Sequence, residues 1–251
     1  MATRRTKLWL VVLAFLLIAA AAGLRTDLGT STANYLFARI RGGYTVGERV
    51  RMYGEPVAIR LRPAFEAVSV PYPPHELAYL AFKDTRRLEV YARADPSETW
   101  RQVRVYPILG MSGGLGPKLR QGDKQVPEGI YRAEFLNPNS RFHLSIRLNF
   151  PNAFDKARAM ADGRAQLGSD IMIHGTSASI GCLAMGNQAA EDLFVLAAIT
   201  GKERVEIVIA PTDFRTQPTR IPNEAPRWLP PLYDLIKLEL GRFPAFTGAS
   251  A

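Results

Sequence analysis

The sequence predicts a mainly β fold with flanking helices, and three observations carry that expectation. Between residues 78 and 146 apolar and polar side chains largely alternate, which is the period of half-buried strands. Prolines, glycines and asparagines punctuate the alternation at Pro127, Gly129, Asn137-Pro138-Asn139 and Pro151-Asn152, where turns are required. On either side of this region, apolar residues recur at helical spacing instead. With 251 residues, 47% of them apolar and 10% aromatic, the chain can bury one substantial core.

The elements follow in order. Arg4, Arg5 and Lys7 precede an uncharged run from Leu8 to Leu24, with Ala20 to Ala22 as a candidate cleavage site. A positive start, an apolar middle and small residues at the end make residues 1–24 a secretory signal or an uncleaved N-terminal membrane anchor. Either reading exports the rest of the chain, to the periplasm or the outer face of the inner membrane. Residues 25–47, rich in Thr, Ser and Gly, read as a tether with little to pack. Val50, Val57, Leu61, Phe65 and Val68 predict a helix between Gly47 and Val70, with a break at Gly54-Glu55-Pro56.

Four strands follow, around Leu88–Tyr91, Val103–Tyr106, Ile130–Phe135 and Phe142–Ile146, in a mostly antiparallel sheet. Met111 to Gly116 carries three glycines but no following helix and no Lys-Ser/Thr pair, so it reads as a mobile loop and not as a phosphate cradle. Ile171–Ile173 is a short strand, Asn187 can cap a helix that stops at Gly201, and Val205–Ile209 is the last strand. Residues 216–251 form a proline-rich tail with one short helix at Tyr233–Leu240. The domain expected to carry the chemistry spans 48–215.

Charge and cysteine usage narrow the function. The formal net charge is +9. Setting aside Arg4, Arg5 and Lys7 leaves +6, spread along the chain, which suits a solvated surface near polyanions such as the cell wall. Nucleic acid is not expected in an exported compartment. Cys182 stands alone in the sequence, so it makes no intrachain disulfide and is paired between chains, inert or reactive.

The chemistry concentrates in Ile173-His174-Gly175-Thr176-Ser177-Ala178-Ser179-Ile180-Gly181-Cys182-Leu183-Ala184-Met185. A histidine leaves a strand and a cysteine precedes a helix, joined by a loop of small residues. A thiol ahead of a helix N-terminus is made more acidic by the unpaired N–H groups there, and a nearby imidazole can take its proton. The thiol should then be partly exposed and more acidic than a free cysteine. Gly181 permits close approach of a substrate, and backbone N–H groups beside it can meet the negative charge of an attacked carbonyl. The competing reading is a small buried cysteine and an unrelated core histidine. His143 lies among apolar neighbours, as a packed or turn-bonded residue or a second active-site histidine, and His75 reads as structural or solvent-exposed. Three histidines and one cysteine show no metal-ligand spacing, so neither metal nor organic cofactor is called for.

The pattern His174-Gly175-x-x-x-Ser179-x-Gly181-Cys182 resembles the signature of the L,D-transpeptidase catalytic-domain (YkuD-like) family. Gly116-Pro117-Lys118, Val126-Pro127-Glu128-Gly129-Ile130-Tyr131, Asn137 to His143 and Asn149-Phe150-Pro151-Asn152 extend the likeness to the short-loop, YafK-like branch, over about residues 48 to 215. The resemblance implies a β-rich catalytic domain, Cys182 as nucleophile, His174 as base, Gly181 with Cys182 in the oxyanion site, and Ser179 and Gly175 as supporting groups. It also implies a peptidoglycan stem peptide as substrate, attacked at the L-centre of meso-diaminopimelate to give a thioester. An amine acceptor would make the chain a transpeptidase; water would make it a hydrolase, in one form cutting peptidoglycan from a lipoprotein. A non-catalytic wall-binding module on the same fold is the alternative of another class. Ile180 and Ala184 stand where many members carry His and Arg, which bears on the acceptor.

Overall fold

A computed structural model describes residues 26–246. The segment expected to direct export lies outside them, and among the described residues no helix is long and apolar enough to cross a membrane. Among the described residues, five α-helices surround an eight-stranded curled sheet. They are α1 (Asp27–Arg41), α2 (Val46–Ala67), α3 (Ala153–Ala161), α4 (Asn187–Thr200) and α5 (Leu229–Leu240). The strands are β1 (Glu76–Phe82), β2 (Arg87–Arg93), β3 (Arg101–Pro107), β4 (Gly129–Ser140), β5 (His143–Leu148), β6 (Met172–His174), β7 (Leu183–Ala184) and β8 (Val205–Ala210). They lie in the order β3-β2-β1-β8-β4-β5-β6-β7. The pairings β1 with β8 and β6 with β7 are parallel, and the others are antiparallel.

The mainly β expectation holds, and the sheet is covered on both faces at its centre. In β1, Leu77, Tyr79 and Ala81 join a core with Val57, Leu61 and Phe65 of α2 and Leu193, Phe194 and Ala197 of α4. Ala78, Leu80 and Phe82, pointing the other way, meet Leu229, Leu232, Tyr233 and Ile236 of α5. That two-sided burial explains why β1 reads as a continuous apolar run where an alternating one would face water on one side. It also corrects the tail: α5 covers one face of the sheet, and its residues belong to the folded domain.

Other expectations at the level of elements are corrected too. The supposed tether contains α1, capped at both ends: Thr26 accepts the Gly29 N–H, and Gly42 ends the helix with φ 91°. Helix α2 runs unbroken through Pro56 and Pro63. Both prolines are exposed, so the backbone groups they leave unpaired face water, while Val57, Leu61 and Phe65 bury the opposite stripe. A Thr45/Glu48 capping box starts the helix. Asn137-Pro138-Asn139 lies within β4, where the register with β5 shifts, so Pro138 occupies a bulge and the turn comes at Arg141-Phe142. Asn152, read as part of a turn, caps α3 through a capping box with Asp155.

Candidate active site

Parallel strands β6 and β7 pair Ile173 with Leu183 and His174 with Ala184. Ile173 and Leu183 are core residues, so alternation turns His174 and Ala184 to the opposite face. Cys182 lies just ahead of β7, in the bend that follows Gly181. The strand-loop segment therefore sets His174 at the end of one strand and Cys182 at the entry to its parallel neighbour.

His174 is 2% exposed, and Phe142 stacks on its ring with centroids 4.7 Å apart. Its Nδ1 lies 2.6 Å from Gly175 O. A carbonyl oxygen only accepts, so Nδ1 carries the proton and Nε2 keeps the lone pair of the neutral ring. Burial pushes the imidazole pKa below its usual value, against the opposing pull of the Gly175 carbonyl. Gly175 is required by space: a Cβ there would sit 2.7 Å from both Asn187 Oδ1 and Phe142 O.

Cys182 is half-buried, and its Sγ donates to Asp170 O at 3.6 Å. Burial pushes the thiol pKa up; a backbone N–H of Met172 and the charge of Lys118 pull it down, and Asp170 pushes it up further. The expected acidic thiol is thus corrected. Its premise was a helix start next to the sulfur, whereas Cys182 leads into β7 and α4 begins only at Asn187, behind an N-cap at Gly186. Asn187 is accordingly not the cap. Both shifts favour the uncharged forms, a protonated thiol and a neutral imidazole.

The loop between the strands is held by hydroxyl groups. Ser179 Oγ donates to Cys182 O at 2.7 Å and accepts the Cys182 N–H at 3.0 Å. Gly181, at φ 87°, donates its N–H to Ser112 Oγ at 2.6 Å, and Ser112 Oγ donates to Lys124 O at 2.7 Å. Both N–H groups expected to face an oxyanion are engaged with serines in this conformation. Ser112 belongs to the glycine loop, which therefore reaches the site, and the sequence carried no signal for that contact. A groove of about 330 Å³ opens onto Cys182, bordered by Lys118, Lys124, Asp170, Ile180 and Gly181.

His143 begins β5, and its Nε2 lies 2.9 Å from Glu191 Oε1 while Tyr53 packs edge-on to its ring at 5.3 Å. It is the packed histidine of the two readings, tied to α2 and α4. Arg60 pairs with Asp192 and Glu191 in the same region. His75 enters the sheet through its backbone, donating to Arg93 O at 3.1 Å. Among the described residues no group of three or more His, Cys, Asp or Glu side chains is arranged to hold a metal ion.

A curled sheet that sets a histidine at the end of one strand and a cysteine just ahead of its parallel neighbour, joined by a short loop of small residues, defines the class of domain. Residues 79–208 match the YkuD family, described as the L,D-transpeptidase catalytic domain, and the chain belongs to that family. It is 37% identical over 163 residues to YafK of Escherichia coli (strain K12), whose name carries the same L,D-transpeptidase term. That match covers 61% of this chain and 63% of YafK. Among solved structures, the helical cell shape determining protein Pgp2 of Campylobacter jejuni is 21% identical with a TM-score of 0.45, covering 59% of this chain and 50% of that one. Bd1075 of Bdellovibrio bacteriovorus is 24% identical with a TM-score of 0.41, covering 68% of this chain and 56% of that one.

Proposed function

We propose that this chain is an exported cysteine enzyme that transfers the acyl group of a peptidoglycan stem peptide through a thioester on Cys182. The observation that carries the reading is the His174 tautomer, since the Nδ1–H bond to Gly175 O leaves Nε2 with the lone pair of a base, on the strand beside the one that Cys182 leads into. Membership of the L,D-transpeptidase family supplies the substrate class.

As the sulfur attacks the carbonyl on the L-centre of meso-diaminopimelate, the thiol proton passes to His174 Nε2 and a C–S bond forms. The C–N bond then breaks, and the amine leaves with the proton returned from His174. A second amine, or water, attacks the thioester and gives a proton to His174; the C–S bond breaks, and the sulfur takes that proton back from the imidazolium as the thiol. Starting from a neutral pair, the enzyme avoids burying two charges before substrate arrives. The acyl oxygen has two N–H donors to meet, those of Gly181 and Cys182, once the serine hydroxyls yield them.

The test is mass spectrometry of diaminopimelate-containing tetrapeptides and lipoprotein-linked wall fragments after incubation with the purified chain. We expect new or lost cross-links, or released lipoprotein stubs, from the parent. Cys182→Ala and His174→Ala should each remove nearly all turnover, with the double variant little worse than either. Full turnover by folded Cys182→Ala would overturn the mechanism, and wall binding by an inactive parent would make the chain a binding module.

A further inference from the structure

The peptide unit between Gly175 and Thr176 is held at both ends. Its carbonyl, Gly175 O, accepts the His174 Nδ1–H at 2.6 Å. Its N–H, on Thr176, donates to Asn187 Oδ1 at 3.0 Å. The unit is planar, so the side chain that holds the N–H also fixes the direction of the carbonyl. Thr176 is buried at φ 61°, a left-handed conformation that a residue with a Cβ rarely adopts. A rotation of the unit that relaxed Thr176 would carry Gly175 O away from the imidazole.

Asn187 faces the other way as well. Its Oδ1 also accepts Ser31 Oγ–H at 3.2 Å, and its Nδ2 donates to Asp27 O and to Thr30 Oγ1, each at 3.2 Å. Its backbone N–H points to Asp27 Oδ2 at 3.3 Å. The amide thus spends two acceptor and two donor positions, its full capacity, on one peptide of the active-site turn and three residues of α1. Ser31, on α1, is fully buried at this contact.

We propose that Asn187 is a positioning residue that makes the N-terminal helix α1 part of the active site, setting the tautomer of His174 through the Gly175–Thr176 peptide. The proposal rests on His174 acting as the base of the reaction above. It implies that docking of α1 is a condition for turnover: a chain whose α1 is displaced keeps Cys182 and its groove but loses the fixed Nε2 lone pair.

The experiment uses the full chain with ¹⁵N-labelled histidine, comparing the parent, Asn187→Ala and the α1-side double variant Thr30→Val/Ser31→Ala. In the parent, the His174 nitrogen shifts should report the Nδ1–H tautomer. In Asn187→Ala we expect a mixture of tautomers, Thr176 amide exchange at least about tenfold faster, and kcat reduced about tenfold to a hundredfold with KM within about twofold. The double variant should move the same signals in the same direction by less. An unchanged tautomer in a folded Asn187→Ala protein would overturn the proposal. Should that variant not fold, the double variant decides: a shifted tautomer supports the proposal and an unchanged one overturns it. A parent without acyl transfer whose tautomer still depends on Asn187 would separate failure of the proposed function from failure of this one.

Discussion

At the scale of single residues, the site works by withholding charge. The Cys182 pKa is raised and the His174 pKa lowered, both chiefly by burial. The folded state therefore holds the thiol proton at pH values where the unfolded chain has lost it, and that stabilisation fades as pH rises through the folded thiol pKa. For His174 the unfolded chain binds the proton first, so stability is lost as pH falls through the unfolded value of about 6.5 and on through the folded one. Alkylation of Cys182 should reach half-maximal rate above about 8.5, the value of a free thiol, and melting temperature should plateau between the two limbs. A midpoint well below that value would restore the thiolate-imidazolium ion pair. The sequence made His174, Gly175, Ser179, Gly181 and Cys182 legible because they are consecutive along one loop. Ser112, Phe142 and Asn187 were not legible as partners, since what joins them to the loop is sheet order and helix docking, which no local spacing encodes.

At the scale of elements, strands were read where polar residues interrupt the apolar ones, as in β2 and β3, and missed in β1, which runs apolar from Leu77 to Phe82. Leu88–Tyr91 and Val103–Tyr106 lie within β2 and β3 as expected. The opposite failure produced the tether and the tail, which look unpackable because threonine, glycine and proline dominate them. In α1, Thr26 and Gly42 are caps, and in the tail Pro230 and Pro231 open α5. The energetic weight of α5 can be measured. Ile236 is fully buried and Leu238 is 75% exposed on the same helix. Ile236→Ala should cost about 2–5 kcal/mol in denaturant melts, and Leu238→Ala should stay within about 0.5 kcal/mol. Equal small effects would return α5 to the status of an appendage.

At the scale of the whole molecule, one buried ion pair joins the sheet, the glycine loop and α5. Lys83 Nζ lies 3.0 Å from Glu128 Oε1 and also donates to Gly116 O and Val126 O, and both side chains are fully buried. Glu128 in turn accepts the Gly116 N–H and the Tyr233 hydroxyl. The root of the loop that carries Ser112 is therefore anchored to charges inside the domain, although its glycines read as freedom. Glu128→Gln strands the Lys83 charge and should cost about 3–5 kcal/mol. Replacing both partners by apolar residues, Lys83→Met with Glu128→Leu, should recover much of that loss in the same melts. A Glu128→Gln protein as stable as the parent would show that Lys83 is held by the two carbonyls alone.

The parallel pairing of β1 with β8 has a consequence in time. Leu77 to Phe82 hydrogen-bond with Val205 to Ala210, so the middle of the sheet joins segments more than a hundred residues apart, and α5, still later, closes the second face. Contacts of such long sequence separation form slowly, because a large loop must close before they give anything back. As the chain emerges from its N-terminus, β1 waits without its central neighbour until residues 205–210 are available. Until then it has only β2 beside it, and the two cores it divides stay open.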